Sequence, residues 1–165
     1  MNPLYGLMRT FFLLLSGRIE FLPASKGRML TMEDGKTFEV FRHVRIKPSR
    51  KAGVPGAAFV VRFKPHMSIG KNIKFSLLPM LILMGFKGFR EKYWAVERDT
   101  GLCQGLYQWQ SREDAENYAR SIAMRFMAGR SVPGTVQFEI IDQSGRRISA
   151  FEGSEQVLGR KEALP

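Results

Sequence analysis

The sequence predicts an α+β domain in the order β-α-β-β-α-β. Three observations predict it. Short β-rich runs occur at 57–64, 89–98, 102–110 and 135–141. Helical apolar spacing occupies 69–84 and 112–128, between those runs. Asp99-Thr100-Gly101 forms a tight turn joining the second and third strands. Two helices on one face of a four-stranded antiparallel sheet is the economical packing for this order, the ferredoxin-like arrangement. The other face would expose apolar and aromatic side chains. Pairing two such faces in a homodimer would bury them, giving a dimeric α/β barrel.

Taken in order, residues 2–16 read as a helix, with Asn2 as N-cap, Pro3 in the first turn and Gly17 as the stop. Leu4, Leu7, Met8, Phe11, Phe12 and Leu15 fall on one helical face, flanked by Arg9 and Arg18. Two readings stand: a helix covering the domain or its dimer mate, or an interfacial anchor holding residues 2–18 on an anionic membrane surface. Residues 28–47 read as a β-hairpin around Asp34-Gly35. On its second run Phe38, Val40, Arg42 and Val44 share one face, and both faces carry apolar residues. The basic, Pro/Gly-containing segment 48–56 marks a boundary. The division is therefore an N-terminal extension (1–55), the main domain (56–142) and a polar tail (143–165). Within the main domain, Pro79 predicts a kink in the first helix near 75–79. Ser111 caps the second helix, with Asp114 three residues on.

At 165 residues the chain suits one domain with a sizeable core. Thirteen Phe and nine Met exceed the needs of a plain core and point to adaptable apolar surfaces. The net charge is +11, with ten Lys/Arg against four Asp/Glu in residues 1–55 alone. The positives are scattered, which favours a membrane surface or solubility over nucleic acid. The RNA-recognition strand motif is absent as well, so no nucleic-acid partner is expected. A lone cysteine, Cys103, allows no intrachain disulfide and no zinc spacing, and suits a reducing, cytoplasmic setting, peripheral at the membrane if the helix is an anchor. No run approaches the ~20 apolar residues of a membrane span, and none resembles a signal-peptide core. No phosphate-binding glycine loop and no His/Cys/Glu metal spacing appears, so no metal or nucleotide cofactor is expected.

Gly88-Phe89-Arg90-Glu91-Lys92-Tyr93-Trp94 forms a Gly-Phe-x-x-Lys-x-Trp strand. It is followed by Gly105-Leu106-Tyr107-Gln108-Trp109, then Ser111 with the Ala115 to Tyr118 helix, and later Ser131-Val132-Pro133-Gly134. This succession resembles the YdhR-like monooxygenases, related to the antibiotic-biosynthesis monooxygenases of the dimeric α/β-barrel superfamily. The resemblance spans about 59–142 and leaves residues 1–55 outside it. It implies a homodimer with a pocket between each sheet and its helices. It also implies either cofactor-independent monooxygenation of a lipophilic or aromatic small molecule, or ligand binding alone. Haem is the alternative cofactor that the wider superfamily implies.

Alternation along the strands selects the candidate residues. Lys92 and Trp94 share a face with Arg90; Gly105, Tyr107 and Trp109 share a face of the next strand. Trp94, Tyr107 and Trp109 suit a planar organic molecule, and Gly105 leaves room for a close approach. The bland alternative is that the same aromatics simply fill the core or the dimer seam. A buried Lys92 would have a lowered pKa and could act as a base or polarise a carbonyl; alternatively it pairs with Glu91, Glu97 or Glu139, or reaches solvent. His66, after the first strand, could be a general base or a haem ligand. Asn72 could orient a carbonyl or dioxygen. Cys103 reads as a buried, inert thiol. The rival to an oxygenase is a non-catalytic dimeric module that binds a ligand or docks to a membrane.

Overall fold

The computed structural model describes residues 3–48, 53–144 and 147–151. The Asn2 cap, part of the basic linker and the tail beyond 151 lie outside the described residues. Eight antiparallel strands form one sheet: β1 (Ile19–Phe21), β2 (Met29–Thr31), β3 (Thr37–Ile46), β4 (Ala57–Phe63), β5 (Phe89–Val96), β6 (Cys103–Trp109), β7 (Gln137–Asp142) and β8 (Arg147–Phe151). The spatial order is β1-β3-β5-β6-β4-β7-β8, with β2 also paired to β3. The helices are α1 (Pro3–Leu15), α2 (Ile69–Phe75), α3 (Leu77–Leu83), α4 (Arg112–Ala119) and α5 (Ile122–Ala128).

Both helices expected in the main domain are broken. Pro79 has no N–H to offer Phe75, and its ring would meet that carbonyl in a continuous helix. The chain therefore breaks at Ser76, whose amide bonds Asn72 O and whose hydroxyl donates to Ile73 O. The second break, at Arg120-Ser121, has no proline to announce it: Ser121 caps α5 by accepting from the Met124 amide at 3.3 Å. Ser111 caps α4 as expected, accepting from the Asp114 amide at 3.1 Å while its hydroxyl donates to the Asp114 carboxylate at 2.7 Å.

The segment 48–56 does not separate two sheets. β3 pairs with β5, so the N-terminal hairpin widens the sheet of the main domain, and β1 pairs in turn with β3. The polar tail contributes as well, because β8 pairs with β7. Two β-bulges overturn the simple alternation read from sequence. One between Val40 and Arg42 turns Phe38 and Val40 toward Ala95, while Val44 and Ile46 join the core beneath the helices. The other, between Phe89 and Glu91, lets Phe89 and Lys92 face the helices together.

The main core lies between the sheet and the helices and includes Phe59, Val61, Met84, Trp94, Tyr107, Trp109, Tyr118 and Ile140. Trp94, Tyr107 and Trp109 therefore face the helices. The opposite sheet face carries Phe38 and Tyr93 but neither tryptophan: it alternates Tyr93, Val60, Leu106 and Ile141 with Glu91, Arg62, Gln104 and Gln108.

The stripe of large apolar residues on α1 does not cover the domain. Contact with α3 runs through Gly6, Thr10 and Leu13, whereas Leu4, Met8, Phe11, Phe12 and Leu15 are exposed. Thr10 donates to Leu81 O at 2.6 Å and Arg9 to Gly85 O at 3.1 Å. Gly6 and Gly85 meet backbone to backbone: a Cβ on Gly85 would lie 1.8 Å from Gly6 O. No helix among the described residues is long and apolar enough to cross a membrane.

Candidate functional site

A hollow of about 80 Å³ lies between the sheet and the helices. β5 and β6 supply Lys92, Trp94, Gly105 and Tyr107; α4 supplies Tyr118. Phe75, Ser76 and Pro79 from the α2–α3 break, with Phe126, Met127 and Arg130 around α5, form the opposite wall. The lining contains no Asp or Glu. An engineered cavity of about 150 Å³ holds benzene. This hollow therefore takes a fragment smaller than an aromatic ring unless Phe75 and Phe126, whose ring centroids are 6.2 Å apart, move aside.

Lys92 is the centre of the site. Its amine is buried between two rings, 4.2 Å from the centroid of Trp94 and 4.0 Å from that of Tyr107. It donates to the Tyr107 hydroxyl at 2.5 Å, and that hydroxyl is 3.0 Å from the Tyr118 hydroxyl. Burial, and secondarily the nearby Arg42 guanidinium, holds the Lys92 ammonium well below its ordinary pKa. The same burial pushes Tyr107 well above the usual phenol value and Tyr118 up to about 12. An amine that releases its proton readily thus stands beside two phenols that keep theirs. Of the carboxylates considered as its partners, Glu91 bonds His43 and Tyr93, and Glu97 bonds Thr100.

Gly105 is required where it stands. A Cβ there would be 2.6 Å from the Tyr107 ring, so a larger residue would displace the phenol that receives Lys92. Asn72 lines the hollow, but its amide donates to the Cys103 sulfur at 3.3 Å. Burial pushes the Cys103 thiol up to about 11, in keeping with an inert thiol.

Two expected site residues lie elsewhere. His66 is exposed, outside the lining, because Pro65 carries the chain away from the sheet and the His66 amide bonds Arg130 O. Trp109 is fully buried on the same sheet face but packs behind the hollow against Phe86, Phe89 and Tyr118. Among the described residues its indole N–H has no hydrogen-bond partner. Haem does not fit the residues present: the lining offers no imidazole, its thiol holds its proton, and the hollow is far smaller than a porphyrin. Among the described residues, no group of three His, Cys, Asp or Glu could hold a metal ion.

Tyr118 is a site residue that alternation along the strands does not reach, because it stands on α4. His43 is buried on the opposite sheet face, with Nδ1 2.7 Å from the Ser25 hydroxyl and Nε2 2.7 Å from Glu91, and it stacks on Tyr93 at 3.8 Å. The array has the composition of a serine nucleophile with its base. However, the amides of Lys26, Gly27 and Arg28 all donate to backbone carbonyls, leaving none of the three to receive an oxyanion beside Ser25. It acts as a link tying the N-terminal segment to β5.

Compared with known proteins, the chain matches no family model, no curated protein and no solved structure.

Proposed function

We propose that the chain is a monooxygenase-like protein, independent of cofactors, that binds a small, largely apolar molecule carrying one carbonyl or acidic oxygen. The observation that carries this reading is the buried Lys92 amine, hydrogen-bonded to the Tyr107–Tyr118 hydroxyl pair in an apolar hollow without a lining carboxylate. Such a group has lost its water and gained no counter-charge, so a guest oxygen relieves the cost of burial. A deprotonated Lys92 removes a proton from carbon beside the guest carbonyl. The phenols donate to the resulting enolate oxygen. The carbanion reduces dioxygen to give a hydroperoxide, which loses water and leaves a new carbonyl; one substrate and one O₂ yield one oxidised product and one H₂O.

The strand order β5-β6-β4-β7 supports the ferredoxin-like reading of the central sheet. In that reading two copies meet through the sheet face away from the helices, where the half-buried Leu106 and Ile141 lie among polar groups, and the helices stay outside. Light scattering at native concentration tests it, with a monomer as the contrary result.

The site reading is tested with benzoate, which enters once Phe75 and Phe126 move aside, followed by tryptophan fluorescence, and with an enolisable 1,3-diketone, followed by oxygen uptake. Saturable benzoate binding that weakens at least about tenfold in Lys92→Met is expected, in line with loss of a charge-assisted hydrogen bond. Binding that is unchanged in the variant overturns the ligand reading. Oxygen uptake equally fast in the variant overturns the oxygenase reading.

A further inference from the structure

We infer that the outer side of the helical layer docks onto an anionic phospholipid bilayer, with α1 lying in the interface. The inference is independent of what fills the hollow.

The first ground is the orientation of α1. An amphipathic helix on a domain ordinarily buries its apolar stripe. Here the small-residue side is buried and the apolar side faces out: Leu4 is 73% exposed, Phe11 57%, Phe12 62% and Leu15 71%. The apolar surface continues onto α3. Gly6 lies at Gly85 and Thr10 at Leu81, so α1 runs antiparallel to α3 with matching steps of four residues. One further step brings Leu14 level with Leu77, which is 50% exposed beside Leu78 at 54%. A continuous patch of this kind is unusual on a surface that meets only water.

The second ground is charge. Residues 3–19, which contain α1, carry Arg9 and Arg18 and no Asp or Glu. Residues 64–90, which contain α2 and α3, carry Lys64, Lys71, Lys74, Lys87 and Arg90 and again no Asp or Glu. Lys71, Lys74 and Lys87 are exposed. The acidic residues of the helical layer are confined to α4, which packs over β4, β6 and β7 rather than beside α1. Two copies joined through this patch would bring rims of the same sign together, whereas an anionic bilayer supplies the opposite charge and an apolar interior. Greasy side chains with a cationic rim and no carboxylate are the chemistry of an interfacial helix.

The experiment is co-sedimentation of the full chain with vesicles of phosphatidylcholine alone and of phosphatidylcholine with phosphatidylglycerol. Expected are binding to the anionic vesicles only, weakening as salt is raised, and loss of at least about tenfold in Lys71→Glu/Lys74→Glu, since each lysine near such a surface contributes several-fold. Phe11→Asp/Phe12→Asp changes exposed positions, so the sheet keeps its circular dichroism while vesicle binding is lost. Lys92→Met keeps wild-type vesicle binding, so a failure of the pocket reading does not register here. Three results overturn the inference: no sedimentation with either vesicle, equal sedimentation with both, or unchanged binding in Phe11→Asp/Phe12→Asp. A dimer that this last variant converts to monomer, without vesicle binding by the wild type, also overturns it, assigning the patch to a second copy.

Discussion

Replacing Gly85 with alanine should release α1 while leaving the sheet folded. The new Cβ would lie 1.8 Å from Gly6 O, 2.5 Å from Gly6 C and 2.7 Å from Gly6 Cα. All three are backbone atoms, so no side-chain rotation relieves the clash. Ordinary contact begins near 3.4 Å, and the two helices must part by about 1.6 Å. That separation stretches the bond from Thr10 to Leu81 O, now 2.6 Å, and the bond from Arg9 to Gly85 O, now 3.1 Å, beyond useful length. Each contributes about 1 kcal/mol. Leu13, 8% exposed, loses most of its burial, about 2 kcal/mol. The sum is about 4 kcal/mol, or roughly a thousandfold in the docking equilibrium. An isolated helix of this length is marginal in water, so a released α1 melts. Hydrogen exchange followed by mass spectrometry should show residues 4–15 losing nearly all protection in Gly85→Ala, with β4, β5 and β6 unchanged. Wild-type protection of α1 in the variant would refute the reasoning, because α1 would then be held by something other than the Gly6–Gly85 approach.

Lys92→Met should raise the melting temperature near neutral pH, with a gain that shrinks as pH approaches about 10.4, the ordinary lysine value. The folded pKa is depressed, so between that value and the ordinary one the unfolded chain binds the proton more readily; this penalty grows as pH falls through the window and is constant below it. Thermal melts across alkaline pH check this, and parallel curves for the two proteins would contradict it. Gly105→Ala should cost about 1–3 kcal/mol by overpacking, since the Tyr107 ring it displaces is held edge-on by Phe59 at 5.3 Å. Chemical denaturation measures that loss, and the benzoate titration should weaken with it. Asp34 is held below the usual carboxylate range, chiefly by its hydrogen bonds from Arg62. Its contribution is present above about pH 4 and lost as pH falls through the folded value, so Asp34→Asn should flatten the acid limb of a stability profile.

What could be read from the chain was what depends on neighbours in sequence. Pro79 announces its own break because the missing N–H and the clash at Phe75 are local. Ser111 and Asp114 announce a cap for the same reason. Lys92, Trp94, Gly105 and Tyr107 could be gathered by alternation along two strands joined by a short turn. The rest depended on contacts that spacing does not encode. A bulge at 40–42 reverses the phase of β3, so Phe38 and Val44 lie on opposite faces although six residues apart. The docking side of α1 is marked by the smallness of Gly6, which hydrophobic spacing passes over in favour of Phe11 and Phe12. His43 gains Glu91 as a partner only because β3 lies beside β5, across 48 residues of sequence. The apolar spacing of α4 and α5 continues through Ser121, hiding the break that its hydroxyl makes.

The absence of any acid from the hollow has a bearing on what is kept out of it. Lys92 occupies the floor, Arg130 stacks over Phe75 at the rim, and Arg42 is bonded to Ser76 in the wall. A protonated amine entering there would meet the Arg130 guanidinium at the rim, with that of Arg42 behind the wall, and would find no carboxylate in the lining to pair with. A guest of the proposed site would thereby be sorted by the sign of its charge before its shape is tried, and cationic bases would be turned away at the threshold.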